Sequence, residues 1–170
     1  MSEKRGRLRR YLPWVLPVAL AIYCVARVAD YTWFQLRRPA TFADARWCGE
    51  WRTSQYGGLT GRLLVRLPDP LPENQDFQAE ALVYYPVYSV WKTGQFVRME
   101  FTGHFTPDGA SSAGKSTNKI PGGGKMKFKG ILGDQVVDYA ALIDDYRILV
   151  TGGYLSHEPD DYGSFWIEKD

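Results

Sequence analysis

Two textures of hydrophobic patterning divide this chain. Residues 11–26 (YLPWVLPVALAIYCVA) carry no charge, and Arg27, Val28 and Ala29 follow before the next acid, Asp30. From residue 46 onward the pattern changes to short runs in which apolar and polar positions alternate. In 77–85, Phe77, Ala79, Ala81, Val83 and Tyr85 share one face, the period-two signature of a half-buried strand. In 97–105, Val97, Met99, Phe101, Gly103 and Phe105 face one way, and Arg98, Glu100, Thr102 and His104 the other. In 125–131, Met126, Phe128 and Gly130 point inward while Lys125, Lys127 and Lys129 point out. Similar runs at 46–53, 60–67, 88–92, 136–143, 146–150 and 162–169 bring the total to eight or nine. Turn signals at fairly even spacing, with no long amphipathic helix, predict a mainly β domain, an antiparallel barrel of about eight strands.

The uncharged segment predicts a helix over 11–29, about 28 Å long at about 1.5 Å per residue, against a bilayer core of about 30 Å. Arg27 would snorkel to the headgroups. Trp14 at one end, and Tyr31, Trp33 and Phe34 beyond the other, suit the interfacial aromatic belts. Pro13 falls in the first turn of that helix and Pro17 predicts a kink. The same stretch also reads as a signal peptide, with Cys24-Val25-Ala26 as a small-residue cleavage site. Its length, two prolines and tryptophan favour a retained single-pass anchor. Lys4, Arg5, Arg7, Arg9 and Arg10 precede the segment, and Arg27, Arg37, Arg38 and Arg46 follow it. The positive-inside rule therefore expects a cytoplasmic N-terminus and a globular domain on the extracytoplasmic, periplasmic side. The organisation expected is a basic tail (1–10), a membrane helix with interfacial aromatics (11–34), a connector (35–45) and the barrel (46–170).

With 170 residues the chain has room for one ordinary domain and an appendage. A formal net charge of +2 is too small for an overall attraction to a nucleic acid polymer, and none is expected as a partner. Cys24 and Cys48 cannot staple the globular part between them, which must be held by its core.

Residues 109–116 (GASSAGKS) match the phosphate-binding loop letter for letter. That motif needs a helix whose N-terminus meets the anion, but here Pro121, Gly122, Gly123 and Gly124 follow, which no stable helix tolerates. The expectation is a glycine-rich hairpin loop whose Lys115 and Lys119, with Lys125, could touch an anion or a lipid headgroup. His104 stands on a polar strand face without a nucleophile beside it. His157, Glu158, Asp160 and Asp161, with Asp144 and Asp145, could be weighed as a metal site. No spacing there matches a ligand loop, and a solvated turn accounts for the same letters. No metal, cofactor or catalytic residue is assigned.

Gly49-Glu50-Trp51 in the first strand resembles the glycine–x–tryptophan signature of lipocalins and the wider calycin group. The resemblance implies a barrel over 46–169 with Trp51 plugging its closed end. Gly153-Tyr154-Leu155-Ser156 and the final run 161–169 (DYGSFWIEK) resemble the end of the barrel in membrane-anchored effectors of bacterial antiphage signalling, which bind cyclic nucleotides. Those effectors carry two membrane helices and a cytoplasmic barrel, whereas this sequence shows one apolar segment. Together these readings predict a membrane-tethered, non-enzymatic binding module, an accessory subunit of a membrane complex or a small-ligand barrel. Its partners would be the bilayer and another membrane protein or a small apolar ligand, with Trp51, Phe101, Phe128 and Tyr154 as ligand contacts. The alternatives are a cyclic-nucleotide-sensing effector, favoured by a pocket lined with arginines and aromatics and disfavoured by a barrel filled by Phe101, Phe128, Val83 and Ile148, and a hydrolase or isomerase of lipid-like substrates, which would need a buried pocket with a perturbed carboxylate or His104 turned inward.

Overall fold

The computed structural model describes residues 3–54, 58–89, 94–108, 123–132, 135–157 and 160–170, with side chains from Trp14 onward except at 132, 135, 157 and 160. It divides into two compact units, Met1–Arg37 and Arg38–Asp170.

The first unit is one helix, α1 (Glu3–Arg37). It is longer than the apolar stretch alone predicts, because the basic residues before position 11 are also helical. Pro13 therefore lies well inside the helix, not in its first turn. Trp14–Arg37 is long and apolar enough to cross a membrane. Trp14, Leu16, Leu20, Ile22, Val25 and Val28 are all exposed, and a helix that shows apolar side chains all round suits a hydrocarbon surround better than water. Near its end, Thr32 Oγ1 donates to the Val28 carbonyl at 2.9 Å, and the Arg37 guanidinium lies 4.8 Å from the centroid of the Trp33 ring.

The second unit opens with a 3-10 turn, Ala40–Phe42, where a plain connector is expected. Eight strands follow: β1 (Trp47–Thr53), β2 (Thr60–Arg66), β3 (Asp76–Tyr84), β4 (Phe96–Pro107), β5 (Gly124–Leu132), β6 (Gln135–Ile143), β7 (Leu149–His157) and β8 (Asp160–Lys169). Each pairs antiparallel with the next, and β1 pairs with β8, so the sheet closes into an up-and-down barrel with no free edge. Alternation does the sorting: along β3, Phe77, Ala79, Ala81 and Val83 are buried, while Asp76 and Gln78 are exposed.

Two expectations about strands fail. The short run at 88–92 is not a strand where it is described: Ser89 N–H donates to the Pro86 carbonyl at 2.9 Å in a turn, and 90–93 lie outside the described residues. The run at 146–150 is mostly a turn: Arg147 has φ +57°, its N–H donates to the Asp144 carbonyl at 3.0 Å, and β7 begins only at Leu149. Ile148 is consequently 46% exposed instead of filling the barrel, whereas Phe101, Phe128 and Val83 do fill it.

The end of the barrel nearest the start of β1 is sealed. Trp47, Phe77, Phe105, Met126, Ile143, Val150 and Ile167 point inward there and all are buried. Leu71 folds over them from the 68–75 loop. Arg147 lies 4.9 Å over the Phe105 ring and pairs with Glu73 at 2.5 Å. Outside, Arg66 caps the Phe42 ring at 4.5 Å, donates to the Thr41 carbonyl and pairs with Asp44 and Glu80. That one side chain fixes the 40–44 segment to the β2–β3 surface.

Candidate binding site at the polar end of the barrel

The opposite end, reached by the end of β1, the end of β3 and the start of β8, has a different chemistry. Its inward positions are Trp51 and Thr53 of β1, Tyr85 just past β3, Tyr139 of β6, Tyr154 and Ser156 of β7, and Asp161, Gly163 and Phe165 of β8. Tyr85, Tyr139, Tyr154, Asp161 and Phe165 are only half-buried although they face into the barrel. Inward-facing side chains that solvent still reaches define an opening, which the sealed end lacks.

The aromatic rings pack into one wall. Trp51 and Tyr85 meet edge to face at 5.1 Å between centroids. Tyr139 lies 6.0 Å from Tyr154 and 5.9 Å from Phe165. Trp51 Nε1 donates to the Tyr84 carbonyl at 3.2 Å, which fixes the indole plane, and Tyr139 Oη donates to Met99 Sδ at 3.0 Å. Tyr154 fits because Gly163 stands opposite it: a Cβ there would lie 2.5 Å from Tyr154 Cε1 and 2.1 Å from the Arg52 carbonyl oxygen.

Asp161 places a carboxylate in this wall. Thr53 Oγ1 donates to its Oδ1 at 2.5 Å, and Tyr154 Oη donates to its Oδ2 at 3.1 Å. Ser156 pairs with Asp161 across the β7–β8 ladder, and its Oγ is buried with no hydrogen-bond partner among the described residues. Burial is the main cause raising the Tyr139, Tyr154 and Tyr85 hydroxyls above the ordinary phenol range; the nearby Asp161 carboxylate adds to the effect at Tyr154 and Tyr85. Among the described strand residues that face inward, none is basic.

The residues singled out by sequence are therefore only partly brought together. Trp51 and Tyr154 belong to this end, whereas Phe101 and Phe128 pack edge to face at 5.1 Å in the core cluster, with Phe77 against Phe128 at 6.0 Å. Trp51 does not plug the closed end, as the lipocalin resemblance implies; Trp47, four residues earlier, lies there instead. Lys115 and Lys119 lie outside the described residues, and Lys125 is exposed on the outer face of β5. Trp14, Arg27, Tyr31 and Trp33 lie along α1. His104 is turned outward, with Nδ1 2.7 Å from Asp76 Oδ1 across the β3–β4 ladder, so it is not the inward histidine that the hydrolase reading asks for. Asp144 Oδ1 accepts the N–H groups of Ile148 and Leu149 at 2.8 and 2.9 Å, and Asp145 accepts that of Gly123 at 2.9 Å. These two acids cap turns. The side chains of His157, Glu158 and Asp160 lie outside the described residues, and Asp161 is inside the barrel mouth.

Asp161, Tyr139 and Tyr85 were legible but not assembled. The alternation Asp161, Gly163, Phe165, Ile167 puts an acid on the face that the core demands to be apolar. No family model matches the chain, and no curated protein or solved structure matches it either.

Proposed function

We propose that this protein is a membrane-tethered, non-catalytic binding module whose barrel takes a small ligand at its polar end. The observation that carries this reading is the contrast between the two ends: one filled and sealed, the other lined by half-buried Tyr85, Tyr139, Tyr154 and Phe165 beside buried Trp51, around the inward carboxylate of Asp161. Binding sites combine apolar and aromatic walls with a few placed polar groups, which is the composition found here. The apolar helix α1 would tether the barrel to a bilayer, with the N-terminus cytoplasmic and the barrel extracytoplasmic. Among the described residues, Asp161 is held by two hydroxyls beside phenols with raised pKa values, which supports a recognition surface over an acid–base couple for neutral pH.

A cyclic-nucleotide effector would present aromatics for the bases and arginines for the phosphates. The described inward faces supply the aromatics and no arginine, which ranks that reading second. The test is purification of the full chain from membranes in mild detergent, followed by native mass spectrometry of what it carries. A small molecule retained by the native protein and lost from Tyr139→Ala and Tyr154→Ala supports the binding module. A stoichiometric protein partner unaffected by both variants favours the accessory-subunit version. A chain that carries nothing, and whose two variants change nothing, refutes a ligand site at this end.

A further inference from the structure

The proposed ligand site has a definite electrostatic character, and the following step rests on the reading of the barrel mouth as a binding site. A carboxylate taken part of the way out of water loses hydration, and it must be compensated by hydrogen bonds or by an opposite charge. Asp161 has two hydrogen bonds, from the Thr53 and Tyr154 hydroxyls, both neutral donors. No described inward-facing strand residue carries a positive charge to balance it. The groups next to it are aromatic: Tyr154 bonds to it directly, Tyr139 lies 6.0 Å from Tyr154, and Phe165 lies 5.9 Å from Tyr139. Aromatic faces around a single carboxylate are the arrangement that attracts an ammonium group, through the ring quadrupoles and through Coulomb attraction together. A phosphate or carboxylate ligand would meet repulsion from Asp161 and find no cation among the described inward-facing strand residues.

A second observation points to an occupant. Ser156 is 5% exposed, and its Oγ has no partner among the described residues. It lies on the inward face of β7, opposite Asp161. A buried hydroxyl left without a bond is costly, so such groups usually find a protein atom, an ordered water or a ligand as partner. A polar ligand with a hydroxyl or N–H near its charged end would satisfy it.

We infer that the polar end of the barrel binds a small organic cation, an amine or quaternary ammonium compound, with Asp161 as counter-charge, Tyr85, Tyr139, Tyr154 and Phe165 as the aromatic surround, and Ser156 as a polar contact. The test uses the full chain in detergent micelles and two probes of nearly equal shape, choline and its uncharged carbon isostere 3,3-dimethylbutan-1-ol, titrated calorimetrically, with AMP as an anionic comparison. Choline is expected to bind at least tenfold more tightly than the isostere, and AMP not to compete. Asp161→Asn is expected to weaken choline about tenfold and to leave the isostere unchanged. The comparison of probes on the unaltered protein needs no variant, so a poorly folding Asp161→Asn would not spare the proposal. Equal affinity for choline and isostere, both weakened by Tyr154→Ala, overturns the charge preference while leaving a ligand site in place. Competition by AMP overturns it as well. If no probe binds and mouth variants change nothing that co-purifies, this inference and the binding reading fall together.

Discussion

At the level of single residues, the two ends of the barrel should be distinguishable by titration. Tyr139 and Tyr154 have pKa values raised above the ordinary phenol range, because burial penalises the phenolate. A group whose folded pKa is raised supports folding fully below its unfolded pKa and loses that support as pH rises through the folded value. The stabilisation from these phenols is thus complete at neutral pH and fades only above about pH 10. Phenolate absorbance should show Tyr139 and Tyr154 ionising only above the ordinary phenol range, together with loss of the barrel's circular dichroism. Simultaneous ionisation of all tyrosines in a folded barrel would contradict their burial. The thiol of Cys48 offers an independent check. Burial first, and then the bond from Sγ to Asp170 Oδ1 at 3.5 Å, raise its pKa, which lowers the thiolate fraction at neutral pH. Alkylation mapped by mass spectrometry should be slower at Cys48 than at a free thiol, and Asp170→Asn should accelerate it several-fold. No change in rate would mean that the carboxylate does not govern the thiol.

Elements explain why some of this was legible and some was not. The faces of β3, β4 and β5 follow from strict alternation: Phe77 to Val83, Val97 to Phe105 and Met126 to Gly130 point where period two sends them. The β7 strand carries Gly152 and Gly153 in the middle of its ladder, where no side chain continues the alternation. Tyr146 and Ile148, apolar but exposed, imitated its start, and only the left-handed Arg147 marks them as a turn. The mouth was harder because its residues come from five separate runs, so no spacing along the chain announces it. Asp161 sat in an acidic stretch that reads as a solvated turn, and the partnership with Thr53 joins positions far apart in sequence. At the packed level, Gly103 makes a sharp prediction. A Cβ there would lie 2.5 Å from Phe77 Cζ and 2.6 Å from Phe128 Cδ1, rings that are themselves buried. Gly103→Val should destabilise the barrel by about 1–3 kcal/mol, read as a lower midpoint in chemical denaturation. An unchanged midpoint would mean that the aromatic core is looser than this geometry.

For the whole molecule the decisive question is how the apolar helix serves the barrel. Trp14 and Trp33 are 19 positions apart, which is about 28 Å along a helix at about 1.5 Å per residue and matches a hydrocarbon core of about 30 Å. The side chains between them are mostly apolar and exposed, so burying them in lipid removes a surface that water would otherwise have to cover. The proposed orientation then has consequences for both units. Five basic residues stay with the N-terminal end, and the barrel mouth meets whatever small molecules lie on the far side of the membrane. A single cysteine placed at exposed Ser164 on the outer face of β8, in a chain with Cys24 and Cys48 changed to serine, reports the side directly. In intact cells stripped of their outer barrier, a membrane-impermeant maleimide should label Ser164→Cys fully, and a cysteine at position 2 only after lysis. The protein should remain in the carbonate-washed membrane fraction with its N-terminal residues intact. The reverse labelling pattern would place the barrel in the cytoplasm and move its ligand to the cytoplasmic pool. Recovery of a soluble chain starting at Arg27 would make α1 a cleaved signal, and the mouth would then belong to a freely diffusing binding protein.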